Sequence, residues 1–86
     1  MALSDLPIWV TVLVYTVTLR GGLQLEAVLI AREYDRLTKM IYPEDSDLRV
    51  LIGRVITLRD KLNPRGIIHG RLGMMLNNLH HILTRR

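Results

Sequence analysis

The chain has 86 residues, 49% of them hydrophobic, with no Phe, one Trp and a formal net charge of +4. It has no Cys, which excludes disulfides, thiol nucleophiles and thiolate zinc sites. That length is one domain with an aliphatic core, and a chain so short gains stability from oligomerisation.

Residues 1–19, MALSDLPIWVTVLVYTVTL, carry a single charge, Asp5, and from Leu6 to Leu19 there is none. The run lacks the basic start and small-residue cleavage site of a signal peptide. It is also short for a membrane span, which needs about 20 apolar residues. Its valines and threonines favour a strand. Ser4 as an N-cap, Pro7 near a first turn, and Trp9, Leu13 and Val17 at helical spacing favour a helix. Helix is preferred over 5–19 because the rest of the chain reads as helical and a lone strand needs a partner, but the choice over 8–19 stays open. A segment apolar nearly all round seeks burial on several sides, so it predicts a homodimer, intertwined or side by side.

Arg20-Gly21-Gly22 marks a turn or a kink. Residues 23–42 then repeat apolar side chains at helical spacing, with Leu23, Ala27, Ile30, Tyr34, Leu37 and Ile41 on one face. Glu26, Arg32, Glu33 and Arg36 read as charge pairs on that helix's own surface. Pro43 ends the helix. In the turn that follows, Asp45 or Ser46 caps the next helix, and the acids Glu44, Asp45 and Asp47 suit a helix N-terminus better than a cation loop. That helix covers 47–62, with Leu48, Leu51, Val55, Leu58 and Leu62 as its stripe and Gly53 on its polar face beside arginines.

The last helix is predicted over 64–85, with Asn63 as cap and Pro64 in the first helical position. Ile68, Leu72, Met75, Leu76, Leu79, Ile82 and Leu83 face the core. Gly66, Gly70, Gly73, Asn77 and Thr84 fall on the other side. An interior glycine costs a helix roughly 0.8–1 kcal/mol relative to alanine. A row of them marks a surface that another helix or a nucleic-acid backbone approaches closely.

Charge divides the chain. Residues 1–47 carry −3 and residues 48–86 carry +7, with Asp60 the only acid in the second part. An Arg-rich half is the footprint of an anionic partner. Arg49, Arg54, Lys61, Arg65 and Arg71 fall in one helix–turn–helix unit and are the expected phosphate contacts, with His69 as a further candidate. Gly66, Gly70 and Gly73 are the expected close-approach surface. Few of these side chains read bases, so duplex backbone and shape fit better than sequence-specific recognition. His69 and His80 lie eleven residues apart, about 16 Å along a helix, too far to share one metal ion.

The sequence therefore predicts an all-α bundle of three to four helices that is a single domain over 1–86 and dimeric. It predicts a cytoplasmic, non-catalytic, accessory or regulatory protein, with no cofactor or metal, that binds a nucleic-acid duplex, double-stranded RNA being one form. The alternative is a helical adaptor that binds a protein partner through its apolar N-terminal segment and glycine-lined helix. Membrane association through residues 6–19 is a weaker third reading.

Overall fold

The computed structural model describes residues 7–85. Ser4 and Asp5, expected to open the first helix, lie outside the described residues. Among those described there is no strand. The helices are α1 (Ile8–Tyr15), α2 (Gly21–Thr38), α3 (Asp45–Asp60) and α4 (Ile67–Thr84). A single 3₁₀ turn, Thr16–Thr18, extends α1.

The helix reading of the apolar segment holds, and the threonines explain why β-propensity fails there. Thr11 and Thr16 are buried, and each hydroxyl donates to a carbonyl of its own helical stretch, Ile8 and Leu13, at 2.7 Å. Such back-bonding satisfies a buried hydroxyl without a partner strand. One chain covers one side of α1, through α2 and α4. Val14 and Val17 on the other side are exposed.

Gly21 opens α2 at φ +47°, the left-handed region open to glycine, and so turns the extended Arg20 into the helix. The helix ends at Thr38, four residues before the predicted end. Thr38 Oγ1 donates to the carbonyls of Tyr34 (2.7 Å) and Asp35 (3.2 Å). The chain then reverses through Met40–Tyr42. Ile41, expected on the core face, is consequently 88% exposed.

The start of α4 also differs. It lies three residues later than predicted, with Gly66 as N-cap. Asn63, Pro64, Arg65 and Gly66 instead form a turn: the Gly66 amide donates to the Asn63 carbonyl at 2.8 Å, and the Arg65 amide donates to Asn63 Oδ1 at 3.0 Å. Asn first, Pro second and Gly fourth is the residue order of a type I turn, which outcompetes helix over these positions. At the start of α3 the boundary moves the other way. The helix begins at Asp45, so Asp45 and Asp47 sit in its first turn, and Glu44 takes the cap position.

The four helices form a ring in which α1 packs on α2 and α4, and α3 packs on α2 and α4. Their stripes meet in one core that includes Val12, Ile30, Leu37, Leu48, Leu51, Val55, Leu58, Leu72, Met75 and Leu79, all at or near zero exposure. Across the core, Asn78 Nδ2 donates to the buried Tyr34 hydroxyl at 2.8 Å, tying α4 to α2. At the far end of the bundle, Lys39 stands 6.0 Å over the Trp9 ring, a weak link between α2 and α1.

Truncating Leu72, fully buried at the centre of α4, removes contacts with several helices at once. Leu72→Ala is expected to lower stability by about 2–5 kcal/mol, read as a shift of the urea midpoint with unchanged slope.

Candidate functional site

Short connections between antiparallel helices place chain segments at two opposite ends. At one end lie residues 16–20 and 61–66. Tyr15, Thr18 and Leu19 share a small recess there with Gly66–His69. At the other lie residues 39–44, beside Ile82 and Arg85 of α4.

The predicted phosphate contacts do not form one face. Arg49 and Arg54 are five positions apart on α3, which is about 140° around the axis. Arg54 leans toward α2, where its Nε donates to Glu26 Oε1 at 3.0 Å. Glu26 thus pairs between helices rather than along its own, and Arg54 is not a free cation. Both side chains are about one-third exposed, so the pair contributes no more than roughly 1 kcal/mol. Arg49 is exposed on the opposite shoulder of α3. Arg65 is exposed in the α3–α4 turn. Arg71 is half-buried on α4, with Nη1 3.5 Å from Met74 Sδ. His69 is half-buried in the recess against Tyr15 and Leu19.

The expected close-approach glycines also have separate explanations. A Cβ on Gly66 would stand 3.2 Å from the Asn63 carbonyl oxygen, closer than ordinary contact, so the turn favours a small residue there. Gly73 is already approached, by the Arg59 guanidinium of α3, whose Nε is buried without a hydrogen-bond partner. Gly70 alone of the three faces open space.

Arg54 and Lys61 are brought together by a groove of about 800 Å³ between the first turns of α2 and the C-terminal half of α3. Leu23, Val50 and Leu58 line it, Gly22 and Gly53 open its two sides, and Arg20 joins Lys61 at its end. A Cβ on either glycine would meet nothing within 4 Å. Arg20 and Lys61 are exposed and make no ion pair among the described residues. Charge by halves of the chain concealed Arg20, because it belongs to the acidic half. The available signal was its position, a cation directly before the glycine pair that opens a helix.

The same end gathers Arg20, Lys61 and Arg65 with the N-termini of α2 and α4, neither of which has a side-chain cap. Those free amides are local hydrogen-bond donors, while the C-termini of α1 and α3 at the same end offset the helix dipoles. The opposite end carries Glu44, Asp45 and Asp47. Two cations there are paired, Lys39 with Asp35 at 3.1 Å, and Arg36 with Glu33 and, at 3.8 Å, Asp47, while Arg85 and Arg49 near the same end make no ion pair among the described residues. Among the described residues no group of His, Asp and Glu is arranged to hold a metal ion. No described helix is long and apolar enough to cross a membrane.

Gly53 lies inside α3 with no neighbour that requires its small size. Gly53→Ala is therefore expected to raise stability by about 0.5–1 kcal/mol through helix propensity alone, measured by thermal or urea unfolding. A loss of stability would reveal a packing role for the glycine.

Compared with known protein families, curated proteins and solved structures, the chain matches none.

Proposed function

We propose that this chain is a non-catalytic accessory or regulatory protein that binds the backbone of a nucleic-acid duplex, double-stranded RNA being one form, with the cytoplasm as its place of action. One observation carries the reading: Arg20, Lys61 and Arg65, free of ion pairs among the described residues, share one end of the bundle with two uncapped helix N-termini. Guanidinium, ammonium and free amide groups are the donors that take phosphate oxygens. Arg54, midway along α3 and with its charge offset by Glu26, extends the contact away from this end, and Arg49 lies further along α3, in the turns nearest the opposite end. Arg71 and His69, half-buried on α4, have lesser roles. A backbone reader needs no base-reading side chains, and this end offers few.

A second copy completes the reading. Val14 and Val17, 44% and 77% exposed on the outer side of α1, form the apolar strip that a homodimer would cover. Two copies would double the number of phosphates neutralised. The adaptor reading draws support from a different place, the α2–α3 turn, where Met40, Ile41 and Tyr42 stand exposed in sequence. Exposed apolar side chains in a group suit a protein contact.

The test is fluorescence anisotropy with a short double-stranded RNA, the matching DNA duplex and the single strands, at two salt concentrations. Native protein is expected to prefer a duplex and to lose affinity steeply with salt. Arg20→Ala, Lys61→Ala and Arg65→Ala combined should reduce the log–log salt slope by about 2–3, one phosphate contact per side chain, with an unchanged melting temperature. Equal binding by the native and triple-variant proteins would sink the proposal. So would the absence of binding at low salt, and the Met40–Tyr42 surface would then become the place to look for a protein partner.

A further inference from the structure

A nucleic-acid backbone would engage Arg20 and Lys61 but leave the apolar part of the α2–α3 groove uncovered. Along α3 the groove runs from Lys61 through Leu58, Thr57, Arg54 and Gly53 to Val50, a rise of about 16 Å. Two cations without ion partners among the described residues sit at one end, Lys61 and Arg20. The middle is less polar than its composition suggests. Arg54 and Glu26 neutralise each other, and the Thr57 hydroxyl donates to the Gly53 carbonyl at 2.9 Å. Leu23 and Leu58 also line this middle, and at the other end Val50 is 63% exposed.

We propose that this groove binds a small anionic amphiphile, its charged head held by Arg20 and Lys61 and its apolar chain laid over Leu23 and Val50 between Gly22 and Gly53, with the buried Leu58 at the groove floor. The volume of about 800 Å³ falls in the range of small-ligand sites. The two ends of the groove match the two ends of such a molecule. A second copy presenting the same face would set Arg20 and Lys61 against like charges, which disfavours self-association here. The glycines fit the same picture. Neither has a neighbour within 4 Å of its missing Cβ, so their smallness keeps the groove open and is not needed to pack this chain.

The inference shares Arg20 and Lys61 with the duplex-binding reading but does not rest on it. The head chemistry is common to carboxylates and phosphates, so the experiment uses both. The full chain, labelled with ¹⁵N, is titrated with decanoate and with decyl phosphate below their micelle concentrations. Decanol and inorganic phosphate serve as controls. Saturable shifts of the Gly22 and Gly53 amides are expected with one or both amphiphiles and with neither control. The amphiphile that binds more tightly identifies the head.

Arg20→Ala with Lys61→Ala should weaken binding at least tenfold. Gly53→Leu, which fills open space, should abolish it while melting no lower than the native protein and keeping the native affinity for a duplex. Val50→Asp, at an exposed position, serves as a second variant and should weaken binding at least tenfold should Gly53→Leu fail to fold. Decanol binding as tightly as the amphiphiles, native binding by the folded groove variants, or no saturable shift would each overturn the proposal. Loss of duplex binding in Arg20→Ala with Lys61→Ala, alongside retention in Gly53→Leu, would show the two activities to be separate uses of the same cations.

Discussion

The structure depends on four apolar stripes having nowhere to go but against one another. Each helix offers one face of leucine, isoleucine, valine or alanine, and no Phe is present to fill space. Closing those faces into one core gives the ring α1–α2–α3–α4, with each helix beside the next and α1 meeting α4. Everything that connects the helices is then confined to two ends. The sorting of charge follows: Arg20, Lys61 and Arg65 belong to connections at one end, and Glu44 to the connection at the other. The cluster of Arg20, Lys61 and Arg65 is a by-product of where a small antiparallel bundle must place its turns.

Helical periodicity made most of the core legible. Leu48, Leu51, Val55 and Leu58 on α3, and Ile68, Leu72, Met75, Leu76 and Leu79 on α4, are buried where their spacing put them. Boundaries failed where side chains compete for the backbone. Asn63 and Pro64 have the residue types of a helix start, yet with Gly66 they satisfy a turn first. Thr38 ends α2 before Pro43 can. The apolar N-terminal run was ambiguous because valine and threonine look like strand residues, and hydroxyl bonding to α1's own carbonyls leaves no trace in periodicity.

The candidate site was less legible, for a physical reason. Arg54 pairs with a carboxylate 28 residues away, and Arg20 meets Lys61 only once α2 and α3 are antiparallel. Charge counted along the chain cannot see such meetings. The glycine row on α4 was visible, but its members have different causes: a turn at Gly66, an arginine at Gly73 and open space at Gly70. Gly22 and Gly53 matter more because they face each other's helix across one groove. Carrying open-space glycines inside helices means giving up stability that alanine would supply.

The ring closure of α1 onto α4 also orders how the chain assembles. Contacts of α2 with α3, and of α3 with α4, join segments separated by one short connection. Those of α1 with α4 join segments some fifty residues apart. Loop-closure entropy makes the last of these the slowest to form, and an eight-residue helix has little cooperativity of its own. The α1–α4 contacts are therefore the costliest in loop-closure entropy, while α1 also packs on α2 across one short connection. Val12 is the one fully buried apolar side chain that α1 contributes to the shared core, so any opening of α1 would expose its seat to proteases and to neighbouring chains.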